Sequence, residues 1–154
     1  MDITIVSAID DGGIIGNGNA LPWKIPAELK HFRSYTFGKT LILGRRTFES
    51  IGGVLPGRRF VVVASSSGNP DPDVSYVCDL ATALKQAFGE EEVIVAGGAT
   101  IYEQMLPMAS KMVLSRVPGF HKGDVLFPDV DWDSWDKVDS VDHGSFEVRT
   151  YERI

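Results

Sequence analysis

A carboxylate set among apolar neighbours is the first group in this sequence suited to chemistry. If the chain is helical from Pro26 to about Phe37, then Ile25, Glu28, Leu29, Phe32 and Thr36 recur at spacings of three and four and share one face. Leu29 and Phe32 make that face apolar. Burial there raises the pKa of Glu28 and suits it to hydrogen bonding or proton relay. Helix phase is loosely fixed near an N-terminus, so the same pattern also admits a boundary residue whose carboxylate turns to water.

Cationic and glycine-rich segments form a second group. In LGRRTFESIG a strand ends at Gly44 and a helix opens with Arg45, Arg46 and Thr47. Guanidinium groups beside helix-start N–H groups suit a phosphate, and the two arginines equally fit a solvated face. AGGATIY repeats the geometry: Gly97 and Gly98 let backbone approach a ligand closely, and Tyr102 stands one turn into the next helix, as a site residue or a core tyrosine. Arg58, just past the turn in LPGRR, could clamp a carboxylate bidentately or be an exposed edge charge. Ser65 and Ser66 are phosphate donors or ordinary loop serines. GNGNAL matches only part of a dinucleotide-binding fingerprint. No serine sits in a GxSxG elbow, and Cys78, expected to be a buried strand residue, has no neighbouring histidine. Binding or redox chemistry is better supported than hydrolysis.

The elements that must position these groups alternate. ITIVSAI, KTLILG, RRFVVVAS, VSYVC, EVIVAGG and KMVLSRV read as strands. Helices are expected from Pro26, from Arg45, after Asp79 as N-cap, and from Ala99. Two further strands flank a turn at DHGS. The expectation is a single α/β domain over residues 1–154: a twisted, mostly parallel sheet of about eight strands with a C-terminal antiparallel hairpin, flanked by four helices. Ligands in such sheets bind beyond the carboxyl ends of strands, where the segments 12–23, 44–47 and 97–102 fall.

Charge narrows the ligand. The 154 residues carry a net −6, which argues against nucleic acid and anionic membrane as partners. Residues 24–59 nonetheless hold eight Lys and Arg against Glu28 and Glu49, a local +6 that leaves −12 for the rest. A small anion is therefore the expected partner. No apolar run reaches the roughly 18 residues of a membrane helix. The N-terminal segment lacks a basic start and is not expected to be a signal peptide. One cysteine excludes an intrachain disulfide and fits a cytoplasmic protein. His31, His121 and His143 share no ligand spacing, so no metal is expected.

Five segments in order, IIGNGNALPWKIPAELKHF, ILGRRTFESIG, LPGRR, VAGGATIYEQMLP and GDVLFPD, resemble dihydrofolate reductase along essentially the whole chain. The resemblance implies NADPH-dependent reduction of 7,8-dihydrofolate to tetrahydrofolate, by hydride transfer to C6 and protonation of N5. It also implies service to one-carbon metabolism and to thymidylate and purine synthesis, antifolate binding, and a monomer. Glu28 resembles the family's active-site carboxylate, holding the pterin N3 and 2-amino group, with Trp23 and Leu21 as further catalytic residues in a mobile loop. Ser7, Ala8, Leu29, Phe32, Ile51, Leu55, Ala96 and Tyr102 would line the substrate pocket, Ser115 would support Glu28, and Arg58 would pair with the α-carboxylate of the glutamate tail. Ala8, Ile15, Gly16, Asn19, Leu21, Gly44, Arg45, Arg46, Thr47, Ser65, Ser66, Ala96, Gly97, Gly98, Ala99, Thr100, Ile101 and Tyr102 would hold the cofactor, with a cis Gly97–Gly98 bond.

The sequence departs from the family at several positions. Leu21 replaces a common Met, and Ser115 a common Thr. Ala96 stands for a bulkier aliphatic residue, His31 for an aromatic, and Cys78 for a basic residue near the 2′-phosphate. A reductase of riboflavin synthesis shares the fold class but would not need Trp23, Glu28 and Arg58 together. A noncatalytic nucleotide or folate binder could keep Arg45, Arg46 and the glycine pair and lose Glu28. Arg58→Leu is expected to weaken folates and antifolates that carry a glutamate tail while sparing small diaminopyrimidines. Equal weakening of both classes in inhibition assays would contradict the tail clamp.

Overall fold

The computed structural model describes residues 1–18 and 21–154. Its strands are β1 (Asp2–Asp10), β2 (Ile14–Gly16), β3 (Thr40–Gly44), β4 (Arg59–Val63), β5 (Val74–Val77), β6 (Glu92–Gly97), β7 (Lys111–Val117), β8 (Val125–Leu126), β9 (Trp135–Asp142) and β10 (Glu147–Arg153). The described α-helices are α1 (Pro26–Thr36), α2 (Arg45–Ser50), α3 (Leu80–Gln86) and α4 (Ala99–Met105). Eight strands form one sheet in the order β5-β4-β3-β6-β1-β7-β10-β9, and β2 and β8 form a separate two-stranded ribbon. From β5 to β7 every pairing is parallel; β10 then runs antiparallel to β7 and to β9. The expected mixed sheet, terminal hairpin and four helices are all present. The ribbon was not expected.

Successive side chains of a strand face opposite ways, and here both faces are covered. Leu41, Leu43, Phe60, Val62 and Ile94 pack on one side; Ile42, Val61, Val93 and Val95 pack on the other. Hence the middle strands carry unbroken apolar runs. Phe32 and Tyr35 of α1 and Phe48 of α2 close the first side. Ala83 of α3 and Ile101, Tyr102 and Met105 of α4 close the second.

Local signals set the helix ends. Pro26 occupies the first turn of α1. The Thr36 hydroxyl donates to the Phe32 carbonyl at 2.8 Å in its last turn. Asp79 caps α3 by accepting from the Thr82 N–H at 2.8 Å. Strand β5 ends at Val77, which takes the buried position, so Cys78 lies past the ladder and is exposed. The expectation of a buried strand cysteine is thereby corrected.

The chain leaves β1 and next enters the sheet at β3, with β6 later filling the place between them. Beyond the carboxyl ends of β1, β6 and β3 the connections diverge and leave a crevice. The β2–β8 ribbon borders it. There Gly123 lies so close to the β2 backbone that an added Cβ would stand 2.5 Å from the Gly16 carbonyl oxygen and 2.5 Å from Ile14 Cγ2. Gly123→Ala must push backbone apart and is expected to cost about 1–3 kcal/mol, read as a lower urea midpoint at unchanged slope. An unchanged midpoint would show that the ribbon yields freely.

Candidate active site

The crevice is a cleft of about 760 Å³. Strand β1 supplies Val6, Ser7 and Ala8. Strand β3 ends at Gly44 and passes directly into Arg45, Arg46, Thr47 and Ser50 of α2, with Ile51 beyond. Strand β6 supplies Ala96 and Gly97, followed by Gly98 and by Ala99, Thr100, Ile101 and Tyr102 of α4. Helix α1 contributes Glu28, Leu29 and Phe32; Ile15 and Gly16 come from β2, Gly18 and Leu21 from the segment between β2 and α1, and Val125 from β8.

Glu28 is the buried charge of this wall. Helix α1 is turned so that Glu28 is 7% exposed while Leu29, at 36%, forms the lip. The inward alternative for Glu28 is the one realised. Burial raises its pKa, and a hydrogen bond from Ser115 works in the opposite direction without cancelling it. Ser115 is buried and lies opposite Ala8 in the β1–β7 register, which sets it behind Glu28.

Tyr102 is also buried, and its hydroxyl donates to the Val6 carbonyl at 2.7 Å. Burial pushes its pKa up, so it remains a neutral donor clamped between β1 and α4. The Gly97–Gly98 bond is cis, and Gly97 has φ 125°. An added Cβ on Gly97 would meet Thr47 Oγ1 and the Tyr102 hydroxyl at 3.3 Å, and one on Gly98 would meet Thr47 Oγ1 at 3.5 Å. Side chains at either position would fill the gap between β6 and α2. The bare backbone leaves it as a cradle that fits an extended phosphate-bearing cofactor.

Arg45 and Arg46 both line the cleft, and Arg46 is exposed. The Arg45 guanidinium donates to the Ser66 carbonyl and lies 5.8 Å from the Tyr76 ring centroid. Ser65 and Ser66 are exposed outside the cleft walls, with Ser66 tied to Arg45. Leu55 packs against the core cluster beneath α1 and α2 rather than lining the cleft. Arg58 is buried and also outside the walls: it donates through Nε to Thr36 Oγ1 at 2.9 Å, through Nη1 to the Pro56 carbonyl at 2.6 Å, and through Nη2 to the Arg33 carbonyl. Burial, and then the charge of Arg33, work against its charged form. Trp23 stands behind the cleft with a fully buried indole Nε1 that has no hydrogen-bond partner among the described residues. His31 packs with Tyr35, His143 and Phe146, away from the lining. Asn19 lies outside the described residues.

Three lining residues carried no sequence expectation, Val6, Ser50 and Val125; Gly18 lies within the expected segment 12–23. Ser50 was readable, because it stands three residues after Thr47 on one helix face. Val125 arrives through the β2–β8 pairing and has no local signal.

The dihydrofolate reductase family model matches residues 2–153. The chain is 36% identical over 151 residues to dihydrofolate reductase type 3 of Salmonella typhimurium, covering 98% of this chain and 93% of that one. It is 35% identical to the dihydrofolate reductase of Bacillus subtilis, with 97% and 89% covered. The fold is similar to that of dihydrofolate reductase from Enterococcus faecalis complexed with NADP(H) and RAB-propyl, with a TM-score of 0.87, 30% identity, and 99% and 96% of the two chains covered.

The burial of Glu28 has a consequence for stability. Because its folded pKa is raised, folding favours its protonated form. That contribution is complete below the unfolded value and is lost as pH rises through the raised folded one. Glu28→Gln is expected to raise the urea midpoint of the ligand-free protein at pH above the raised value, with the gain vanishing in acid. A mutant destabilised equally at every pH would contradict a strained carboxylate.

Proposed function

This chain belongs to the dihydrofolate reductase family, and we propose that Glu28 is the group on which its reduction of 7,8-dihydrofolate depends. The protein is an NADPH-dependent oxidoreductase of one-carbon metabolism. When bound, NADPH supplies the hydride that reaches C6 of the pterin. The observation that carries the proposal is a desolvated carboxylate in the cleft wall, supported from behind by Ser115.

The Glu28 carboxylate accepts from the pterin N3–H and 2-amino group and fixes the ring by two charge-assisted hydrogen bonds. Burial raises its pKa, and from this position it polarises the pterin so that N5 gains its proton from a water. The Trp23 indole N–H is buried and has no hydrogen-bond partner among the described residues, so it would donate to that water only when movement of the loop admits it. Leu21 and the loop around it cover the reacting rings and exclude bulk solvent. Leu29, Phe32, Ile51 and Ala96 form the apolar wall of the pterin pocket, and Leu55 backs it.

Arg58 holds the substrate's tail. A guanidinium carries five N–H donors. Three are engaged, leaving one on each terminal nitrogen for the substrate's carboxylate. Arg45, Arg46 and Thr47, with Ser65 and Ser66 at the rim, hold the cofactor's phosphates. Gly97, Gly98 and Ala99 to Tyr102 receive its pyrophosphate. Ala8, Ile15, Gly16, Leu21 and Gly44 complete the cofactor surface; Asn19, expected among them, lies outside the described residues. Cys78 brings no positive charge to the 2′-phosphate, so the preference for NADPH over NADH rests on the two arginines and Ser65. The proposed form is a single-domain cytoplasmic monomer; its exposed free thiol suits a reducing compartment.

Glu28→Gln is expected to keep NADPH binding and lose about 10²-fold or more of turnover at neutral pH. Activity should recover as the pH falls and substrate arrives already protonated. The check is kcat against pH for mutant and parent with dihydrofolate. Coincident profiles would remove Glu28 from this role.

A further inference from the structure

Behind the cleft, a second buried carboxylate ties two loops to the end of β1. The Asp10 side chain is fully shielded from solvent. One oxygen accepts from the Gly12 and Ile14 N–H groups, each at 2.9 Å. The other accepts from the His121 backbone N–H at 2.6 Å and lies 3.1 Å from His121 Nδ1. Burial works to raise the Asp10 pKa, and the hydrogen bonds from His121, Ile14 and Gly12 outweigh it, so the carboxyl is held below its usual range and is charged at neutral pH. A charged acceptor fixes the imidazole with Nδ1–H toward Asp10. The same ring forms an edge-to-face pair with Trp23, with centroids 5.2 Å apart and planes at 71°. Edge-to-face contact at this separation orients an aromatic pair.

We propose that His121 is a positioning residue for Trp23: held by Asp10, its ring sets the attitude of the indole, and with it the placement of the indole N–H. The inference deepens the role given to Trp23 above and rests on it for its effect on turnover. The anchor lies in the segment between β7 and β8, outside the cleft, so its effect on the reaction passes through Trp23. Both features of the imidazole are needed, one nitrogen for Asp10 and the ring for the indole.

Two half-replacements separate those needs. His121→Asn keeps a donor near the Nδ1 position and removes the ring; His121→Phe keeps a ring and removes the donor. Both retain the backbone bond from residue 121 to Asp10, and urea midpoints check that both fold. The Trp23 indole N–H resonance is identified by its loss in Trp23→Phe. Both His121 variants are expected to broaden or split it and to lower kcat about tenfold, with KM for NADPH moving less. In a Trp23→Phe background the same His121 substitutions should add no further loss. A single, unbroadened indole resonance in both variants, or equal losses in the two backgrounds, would overturn the proposal. If the resonance responds but Trp23→Phe keeps full kcat, Trp23 loses its catalytic role and the positioning by His121 stands.

Discussion

Parallel pairing of β1 with β6 on one side and β7 on the other is the constraint from which the site follows. A strand joined on both edges by parallel partners cannot turn back into the sheet by a tight hairpin, so each connection must leave over a face or an end. The chain leaves β1 through the loop that carries Ile15, Gly16 and Leu21, crosses as α1, and re-enters two places away as β3. That detour places Glu28 over the end of β1 and the start of α2 beside the start of α4. The Tyr102 bond to Val6 then locks α4 to β1 across the same gap. The two connections therefore open onto one crevice because one strand, β6, separates them.

The site sets stability against use. A carboxylate in an apolar wall is disfavoured in its charged form, and the surrounding core must hold it there. Ser115 offsets part of that cost, since its hydrogen bond lowers what burial raises. Arg58 is treated differently: its buried guanidinium donates to Thr36 and two backbone carbonyls and keeps one N–H on each terminal nitrogen outside those bonds. Asp10 shows the third arrangement, with enough N–H donors to keep a shielded carboxyl ionised. Identical chemistry at Glu28 and Asp10 is thus turned to opposite ends by the number of hydrogen bonds each accepts.

What the sequence made legible follows locality. The runs TLILG and RFVVV, the proline that opens α1 and the aspartate that caps α3 act within a few residues, and the elements stand where those signals put them. The alternation of strands and helices gathered Arg45, Thr47, Gly97 and Tyr102 at one end of the sheet, and the resemblance to a family gave them roles there. The three-residue β2 and two-residue β8 are too short to show a period and exist through their mutual pairing. For the same reason Val125 was missed, as was the meeting of Asp10 with His121, 111 positions apart. The phase of α1, which left Glu28 open between core and water, is settled by the packing of Phe32 and Tyr35 on the sheet. Cys78 was misplaced because the strand-like pattern runs one residue past the end of the β5–β4 ladder.

The hairpin that ends the chain bears on more than the sheet's width. Strand β9 is a free edge, and after Trp135 every residue from Asp136 to Asp142 is exposed. Such an edge is a template for another strand, and charge along it is a guard against sticking. A second molecule docking here would bring its own Asp136, Asp139 and Asp142 against this set, closing like charge on like charge. The opposite edge, β5, offers four residues and little to grip. The acidity of the late chain lies along the exposed edge of the sheet, where like charges oppose edge-to-edge pairing.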